Sequence, residues 1–414
     1  MKSSLFVAAL VVTLHQPAFA QAPTAYEEPV WLNASELLSP DLMRGPTFRV
    51  RDQAFTDGFM AHFDVDTDFG TFEAIGVPQV KRRIIEADAI RTLVETSKGD
   101  LFAEGLKRSL TQPIDAVTNI VKDPVGSVKK VPKTVGHFFS KVGASIERGV
   151  NKIKENEESG HEASSEEIGR GIGRVAKNVA GFEKAKLATA RELGVDPYSD
   201  NVRLQEEMDK VTWAFFAGGL PLRFVAGAAV AATNMVGVPA ETYALTQGEL
   251  ALRDNRSLVA MGLNPEDIQT FQVQPSLSTT RRHRIVKALE AMPMAAGRGR
   301  IILLANSCSS PAQADFLVSA LSMMQERQEA GAANYKELFV FGRLPAGLTA
   351  GGTLEVPAPV DFVNWTEQVA AFAQRDDLGT APKVLIHTGR LSPATTAGLT
   401  AAGWKIVQVS YPSR

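Results

Sequence analysis

Between Val211 and Ala240 the chain carries one charge, Arg223, in the tract VTWAFFAGGLPLRFVAGAAVAATNMVGVPA. A run this apolar ends up inside a shell of other helices or against lipid, so it constrains everything around it. The 17 residues from Phe224 to Ala240 are uncharged, just short of the roughly 18–20 of a membrane-spanning helix. Their strongly apolar members favour insertion by about 3 kcal/mol, which one central arginine would cancel; Arg223, at the edge, can snorkel and costs less. Asn234, Pro239 and several glycines subtract further. Gly218-Gly219-Leu220-Pro221 reads as a break. The expectation is two short apolar helices that meet through small residues and are covered by their neighbours. The competing expectation is an inserting hairpin from Trp213 to Val238, as in a secreted membrane-active toxin.

The start of the chain reads as a secretory signal: Lys2, an apolar run from Leu5 to Leu14, and Ala18-Phe19-Ala20. Cleavage near Ala20 predicts a periplasmic or secreted protein. Removing Lys2 from 44 Lys+Arg leaves 43 against 46 Asp+Glu, a balance that argues against a nucleic-acid binder. The single cysteine, Cys308, excludes an internal disulfide and a cysteine zinc cluster.

The fold class read from the pattern is α+β multidomain: a small N-terminal antiparallel β-meander, a predominantly α-helical middle, and a C-terminal α/β domain with a mostly parallel sheet. After the signal (1–20), residues 21–78 hold a surface-wrapping segment and the meander FRVRDQAF, DGFMAHFDVD and GTFEAIGV, with Thr56-Asp57-Gly58 as a turn. Asp64, Asp66 and Asp68 imitate half a calcium loop, but Phe69 replaces the glycine and Ile75 the glutamate that such a loop needs. No metal site or cofactor is expected.

Residues 79–154 become helical and basic. From 107 to 154 there are ten Lys/Arg against three acids. Phe139, Val142, Ile146, Val150 and Ile153 share one face. Lys129, Lys130, Lys133, Phe138, Phe139, Lys141 and Arg148 are candidate contacts for an anionic membrane surface or an envelope protein partner. Residues 155–175 form an acidic and glycine-rich linker.

In the helical domain, 176–297, Gly194 closes one helix, Asp200 caps the next, and helices start near Asn264 and at Ser278. Arg281, Arg282, His283 and Arg284 occupy a first turn. They are read as solvated, although basic residues there oppose the helix dipole and so invite an anionic neighbour.

From 298 to 414 strand and helix are read in alternation: IILLAN, a helix from Pro311 capped by Ser310, ELFVFG, a glycine-turned excursion over Leu348–Val360 read as a hairpin, a helix from Thr366, KVLIHT, a helix from Pro393, and KIVQVS. Ligands bind at the carboxyl ends of such strands, which draws attention to Ser307-Cys308-Ser309-Ser310, Gly342-Arg343 and His387-Thr388-Gly389-Arg390. One reading makes Cys308 a nucleophile, its thiol acidified near a helix N-terminus, with His387 as base. The other makes Ser307, Ser309, Arg343 and Arg390 a ligand or anion site. Together the features lead to the expectation of an exported, non-catalytic envelope protein that meets a membrane surface or a partner, with the C-terminal domain as an interaction or ligand module. A periplasmic Cys308/His387 enzyme is the alternative.

Overall fold

A computed structural model describes residues 25–111, 180–224 and 237–412. The signal segment, the basic contacts from Lys129 to Arg148, the linker and the centre of the apolar tract lie outside the described residues. The described chain is α+β: an N-terminal antiparallel sheet, two helical layers and a C-terminal mixed sheet.

The first sheet is built around its fourth strand. Strands β1 (Trp31–Asn33), β2 (Phe48–Val50), β3 (Gln53–Thr56), β4 (Ala61–Thr67) and β5 (Gly70–Ile75) are all antiparallel. On one edge β4 pairs β5 along its length; on the other it pairs β3 and then β2, and β1 lies beyond β3. FRVRDQAF is thus one run bent at Arg51-Asp52, and the Arg51 amide keeps the ladder going with a 3.0 Å bond to the Asp64 carbonyl. Alternation along β4 sends Ala61, Phe63 and Val65 inward. Outside, Asp64 and Asp66 accept from the Arg51 guanidinium at 2.6 and 3.0 Å. These carboxylates answer an arginine.

The inner face packs on Val77 and Val80 of α1 (Val77–Thr96). With α2 (Asp100–Thr111), α3 (residues 180–193) and α4 (Val202–Ala217), α1 encloses Ile90, Leu93, Phe102, Leu204, Met208 and Phe215. The described part of the apolar tract is therefore buried along α4 and half-buried beyond it. Val211, Ala214 and Ala217 are buried, and Leu220, Leu222, Phe224 and Val238 pack on the same cluster. Among the described residues no helix is long and apolar enough to cross a membrane.

A second helical layer follows: α5 (Gln247–Ala260), α6 (Pro265–Val273), α7 (Thr279–Glu290), α8 (Arg298–Asn306) and α9 (Pro311–Glu329). Asn264, Ser278 and Ser310 cap their helices through side-chain oxygens, as their types predict. Three expectations are corrected here. IILLAN is not a strand: it lies within α8, with Ile301, Ile302, Leu304 and Ala305 buried and Leu303 facing out, a helical period that six residues are too few to announce. Asp200 is not the cap of α4, because the Asn201 side chain accepts from the Leu204 amide. The basic turn of α7 is not solvated: Arg281 and His283 are buried, and the anionic neighbours that it invites are present.

The C-terminal sheet holds β6 (Tyr335–Phe341), β7 (Leu344–Thr349), β8 (Leu354–Ala358), β10 (Lys383–His387) and β12 (Trp404–Gln408), in the order β12-β10-β8-β7-β6. A short parallel pair, β9 (Phe362–Val363) with β11 (Arg390–Leu391), lies beside it. The strands β8, β10 and β12 are parallel, while β6-β7-β8 form antiparallel hairpins. The glycine-turned excursion over Leu348–Val360 is a hairpin, as expected, and it belongs to the sheet itself: β7 pairs antiparallel with β8. Helix α9 lies on one face, where Arg327 binds Glu355 through two bonds of 3.0 and 2.5 Å. Helices α10 (Glu367–Ala373) and α11 (Pro393–Ala401) cover the other, over Leu354, Val356, Leu385 and Trp404.

Buried polar contacts join the two sheets. The Asp361 carboxylate accepts from the amides of Ala61 at 2.9 Å and Val77 at 3.1 Å, and Tyr411 donates to it as well. Asn364 accepts from Thr56 at 3.3 Å. Near the start of the described chain, Glu27 accepts from the Trp365 amide at 2.6 Å and the Ser392 hydroxyl at 2.5 Å.

Candidate functional site

The joint between the sheets leaves a cavity of about 980 Å³. Its walls come from the β3–β4 turn and the start of α1, from the first half of α9 with the end of α8, and from the α10/α11 face of the C-terminal sheet. The lining is mainly apolar, with Phe59, Phe316, Phe341, Phe372 and Trp404 as its aromatic members. Phe59, Phe316 and Phe372 are half-buried. Apolar clefts of roughly 300–1,000 Å³ with a few placed polar groups are the usual form of small-molecule sites.

Most charged groups in the wall are already matched. Asp315 takes two bonds from Arg281, at 2.8 and 2.9 Å, and lies 3.4 Å from Arg82. Arg375 is held by Asp377 at 2.8 and 2.6 Å. Asp57 accepts from the amides of Phe59 and Met60 and faces His62 at 3.4 Å. Arg343 differs. It is exposed at the β6–β7 turn, on the cavity rim, and no described residue forms a hydrogen bond or ion pair with it.

The residues singled out in the sequence fall in different places. Ser307, Cys308 and Arg343 line the cavity; His387, Ser309 and Arg390 do not. Cys308 follows the end of a helix, not of a strand, and its Sγ lies 3.6 Å from the Leu304 carbonyl. Burial pushes its thiol up, against a smaller opposing pull from Arg343, so the acidified thiol expected near a helix N-terminus is not what this position provides. His387 ends β10, is buried, and has Nδ1 3.0 Å from the Gly389 carbonyl. Burial lowers its pKa, with the Gly389 contact opposing. Among the described residues no hydrogen bond joins Cys308 to His387. Ser307 donates to Leu304 at 2.7 Å, Ser309 to Gln313 at 3.1 Å, and Arg390 to Glu36 at 3.2 Å. The four ligand candidates therefore do not form one cluster; Ser307 and Arg343 share the cavity, while Arg390 lies over the Phe362 ring.

Behind the cavity wall runs a chain of charges, which supplies the anions that the basic turn of α7 invites. Asp200 bridges Arg83 at 2.8 Å and Arg281 at 2.7 Å; Arg83 also holds Glu86 at 2.7 Å, and Arg281 holds Asp315. Burial raises the Asp200 carboxyl, but the two guanidiniums outweigh it and hold the group well below the usual carboxylate range. Nearby, His283 Nδ1 lies 2.8 Å from buried Asp254. Among the described residues no cluster of three or more His, Cys, Asp or Glu could hold a metal ion.

Two signals in the sequence pointed to this region: the four basic residues of one helical turn, which need acids, and Gly342-Arg343 at a strand end. The aromatic wall carries none, because Phe59, Phe316 and Phe372 lie in segments far apart in the chain. The chain matches no protein-family model, no curated protein and no solved structure.

Proposed function

We propose that this is an exported, non-catalytic envelope protein whose folded body binds an apolar small molecule and whose basic segment brings it to an anionic membrane surface. The observation that carries the binding half is the cavity of about 980 Å³ between the sheets, walled by half-buried aromatic rings. Rings left partly wet in this way gain roughly 25 cal/mol for each Å² that a ligand covers. The absence of a Cys308–His387 bond and the raised thiol pKa favour binding over thiol chemistry. The surface half rests on the ten basic residues between 107 and 154 and on the leader-like residues 1–20.

The test is titration of the mature chain with the neutral fluorophore N-phenyl-1-naphthylamine. Saturable, blue-shifted emission at one site per chain is expected. Ala312→Trp, placed on a half-buried cavity residue in the first turn of α9, should abolish it. At 100 times Kd the ligand should add about 2.7 kcal/mol to unfolding stability. Emission that rises without saturation, or that ignores Ala312→Trp, rejects the reading.

A further inference from the structure

We infer that the cavity's occupant is a single-chain anionic amphiphile, a long-chain carboxylate or its like, with its head group on Arg343 at the rim and its chain among the rings of Phe316 and Phe372. This rests on the binding reading above and adds the chemistry of the ligand.

The inference comes from which charges remain unmatched. The wall includes Asp57, Arg82, Asp315, Arg343 and Arg375 among its charged side chains. Asp315 is answered by Arg281 and Arg82, and Arg375 by Asp377. Asp57 accepts from two backbone amides of its own turn. Arg343 alone stands over the cavity without an anion among the described residues. Its place is set by the backbone: β6 and β7 are joined by a tight turn at Gly342, whose φ of 64° is left-handed. That turn holds Arg343 beside the cavity rather than on a mobile loop. Gly342 also faces the guanidinium of Arg375, since a Cβ built on it would lie 3.9 Å from Nη1. Two guanidiniums therefore flank one side of the opening, one neutralised and one not.

A planar guanidinium suits a carboxylate, which can take two parallel hydrogen bonds from it. Besides the charged groups, the wall offers the rest of such a molecule the hydroxyls of Ser307, Ser310 and Ser319 and the amides of Gln79, Gln313 and Gln368, of which Gln79 and Gln313 already accept from the amides of Ile75 and Ser309; the remainder is mainly apolar. A ligand polar along its whole length would leave groups unpaired against the rings. A neutral hydrocarbon would leave Arg343 without an anion. An amphiphile with one anionic end satisfies both parts. Phospholipid membranes are a source of such molecules, which fits a cavity on a protein proposed to visit a membrane surface.

The test uses the mature chain with cis-parinaric acid and its methyl ester, which share a chain and differ in charge. The acid is expected to bind at least tenfold more tightly than the ester, and its affinity should fall with added salt while the ester's does not. Arg343→Gln, an exposed position with no partner to lose, should weaken the acid about tenfold and leave the ester unchanged. Ala312→Trp should block both. Equal affinity for acid and ester, or an acid affinity indifferent to Arg343→Gln, would overturn the anionic assignment while the cavity reading stands. Failure of both probes to bind would remove the two together.

Discussion

Asp200 shows how much one side chain holds in place. It lies between Arg83 of α1 and Arg281 of α7, so it ties the first helical layer to the second. Breaking a fully buried pair costs about 3–5 kcal/mol, but a quarter of the Asp200 side chain meets solvent, which screens the loss, so its removal should cost about 1–3 kcal/mol. Asp200→Asn should therefore lower the unfolding free energy by an amount of that order, seen as a lower urea midpoint. The pH dependence has a definite sign. The folded pKa lies below the unfolded value of about 3.9, so the contribution of Asp200 is complete above roughly pH 4 and is lost as pH falls through the depressed folded value. Asp361 behaves oppositely: burial raises its pKa despite the Tyr411 and amide hydrogen bonds. Its contribution is present below the unfolded value and lost as pH rises through the folded one. Urea unfolding at several pH values between about 2 and 5 should then give a flatter stability curve for Asp200→Asn than for the wild type.

At the scale of elements, the contact between α2 and α4 decides how the apolar tract is covered. Gly105 and Gly218 face each other: a Cβ on Gly105 would lie 2.6 Å from the Ala214 carbonyl oxygen, and one on Gly218 would lie 2.6 Å from the Gly105 Cα. The two backbones can touch only because both side chains are missing. In an exposed helix, replacing glycine by alanine gains about 0.8–1 kcal/mol. Here Gly105→Ala should instead lose about 1–3 kcal/mol, as overpacking does, and calorimetry should show a lower Tm. A rise in Tm would mean that the helices are further apart than described. The small residues of the tract read as contact points from the sequence, and the helices on either side supply the cover. The run Ile301–Asn306 shows the limit of such reading. Its β-branched pair and short length suit a buried strand, and only the burial of positions 301, 302, 304 and 305 with 303 exposed reveals a helix.

For the whole molecule, the proposed function depends on two parts that act at different ranges. On this proposal, electrostatic attraction would draw the basic segment towards anionic lipid at about 1 kcal/mol per basic residue close to the surface, and salt would screen it. The mature chain should float with vesicles rich in phosphatidylglycerol at low ionic strength and separate from them at about 0.5 M salt, where the Debye length falls towards a few Å. Absence of flotation at low salt would remove the membrane half and leave the cavity half standing. The cavity acts by contact. It exists because Asp361, Asn364 and Glu27 dock the C-terminal sheet against the N-terminal one, and the rings between them are not fully closed over.

Local rules reach as far as local chemistry does. The amino-acid order by itself determined β2 to β6, β10 and β12 apart from their joints, the caps at Asn264, Ser278 and Ser310, the turn at Asp57-Gly58, the α+β class and the need to cover the apolar tract, because each depends on residues within a few positions of one another. Tertiary structure decided which acids answer Arg281, that Cys308 and His387 form no hydrogen bond, and that three remote segments enclose one apolar space. Those outcomes depend on residues tens to hundreds of positions apart along the chain, and periodicity carries no information about which distant surfaces meet.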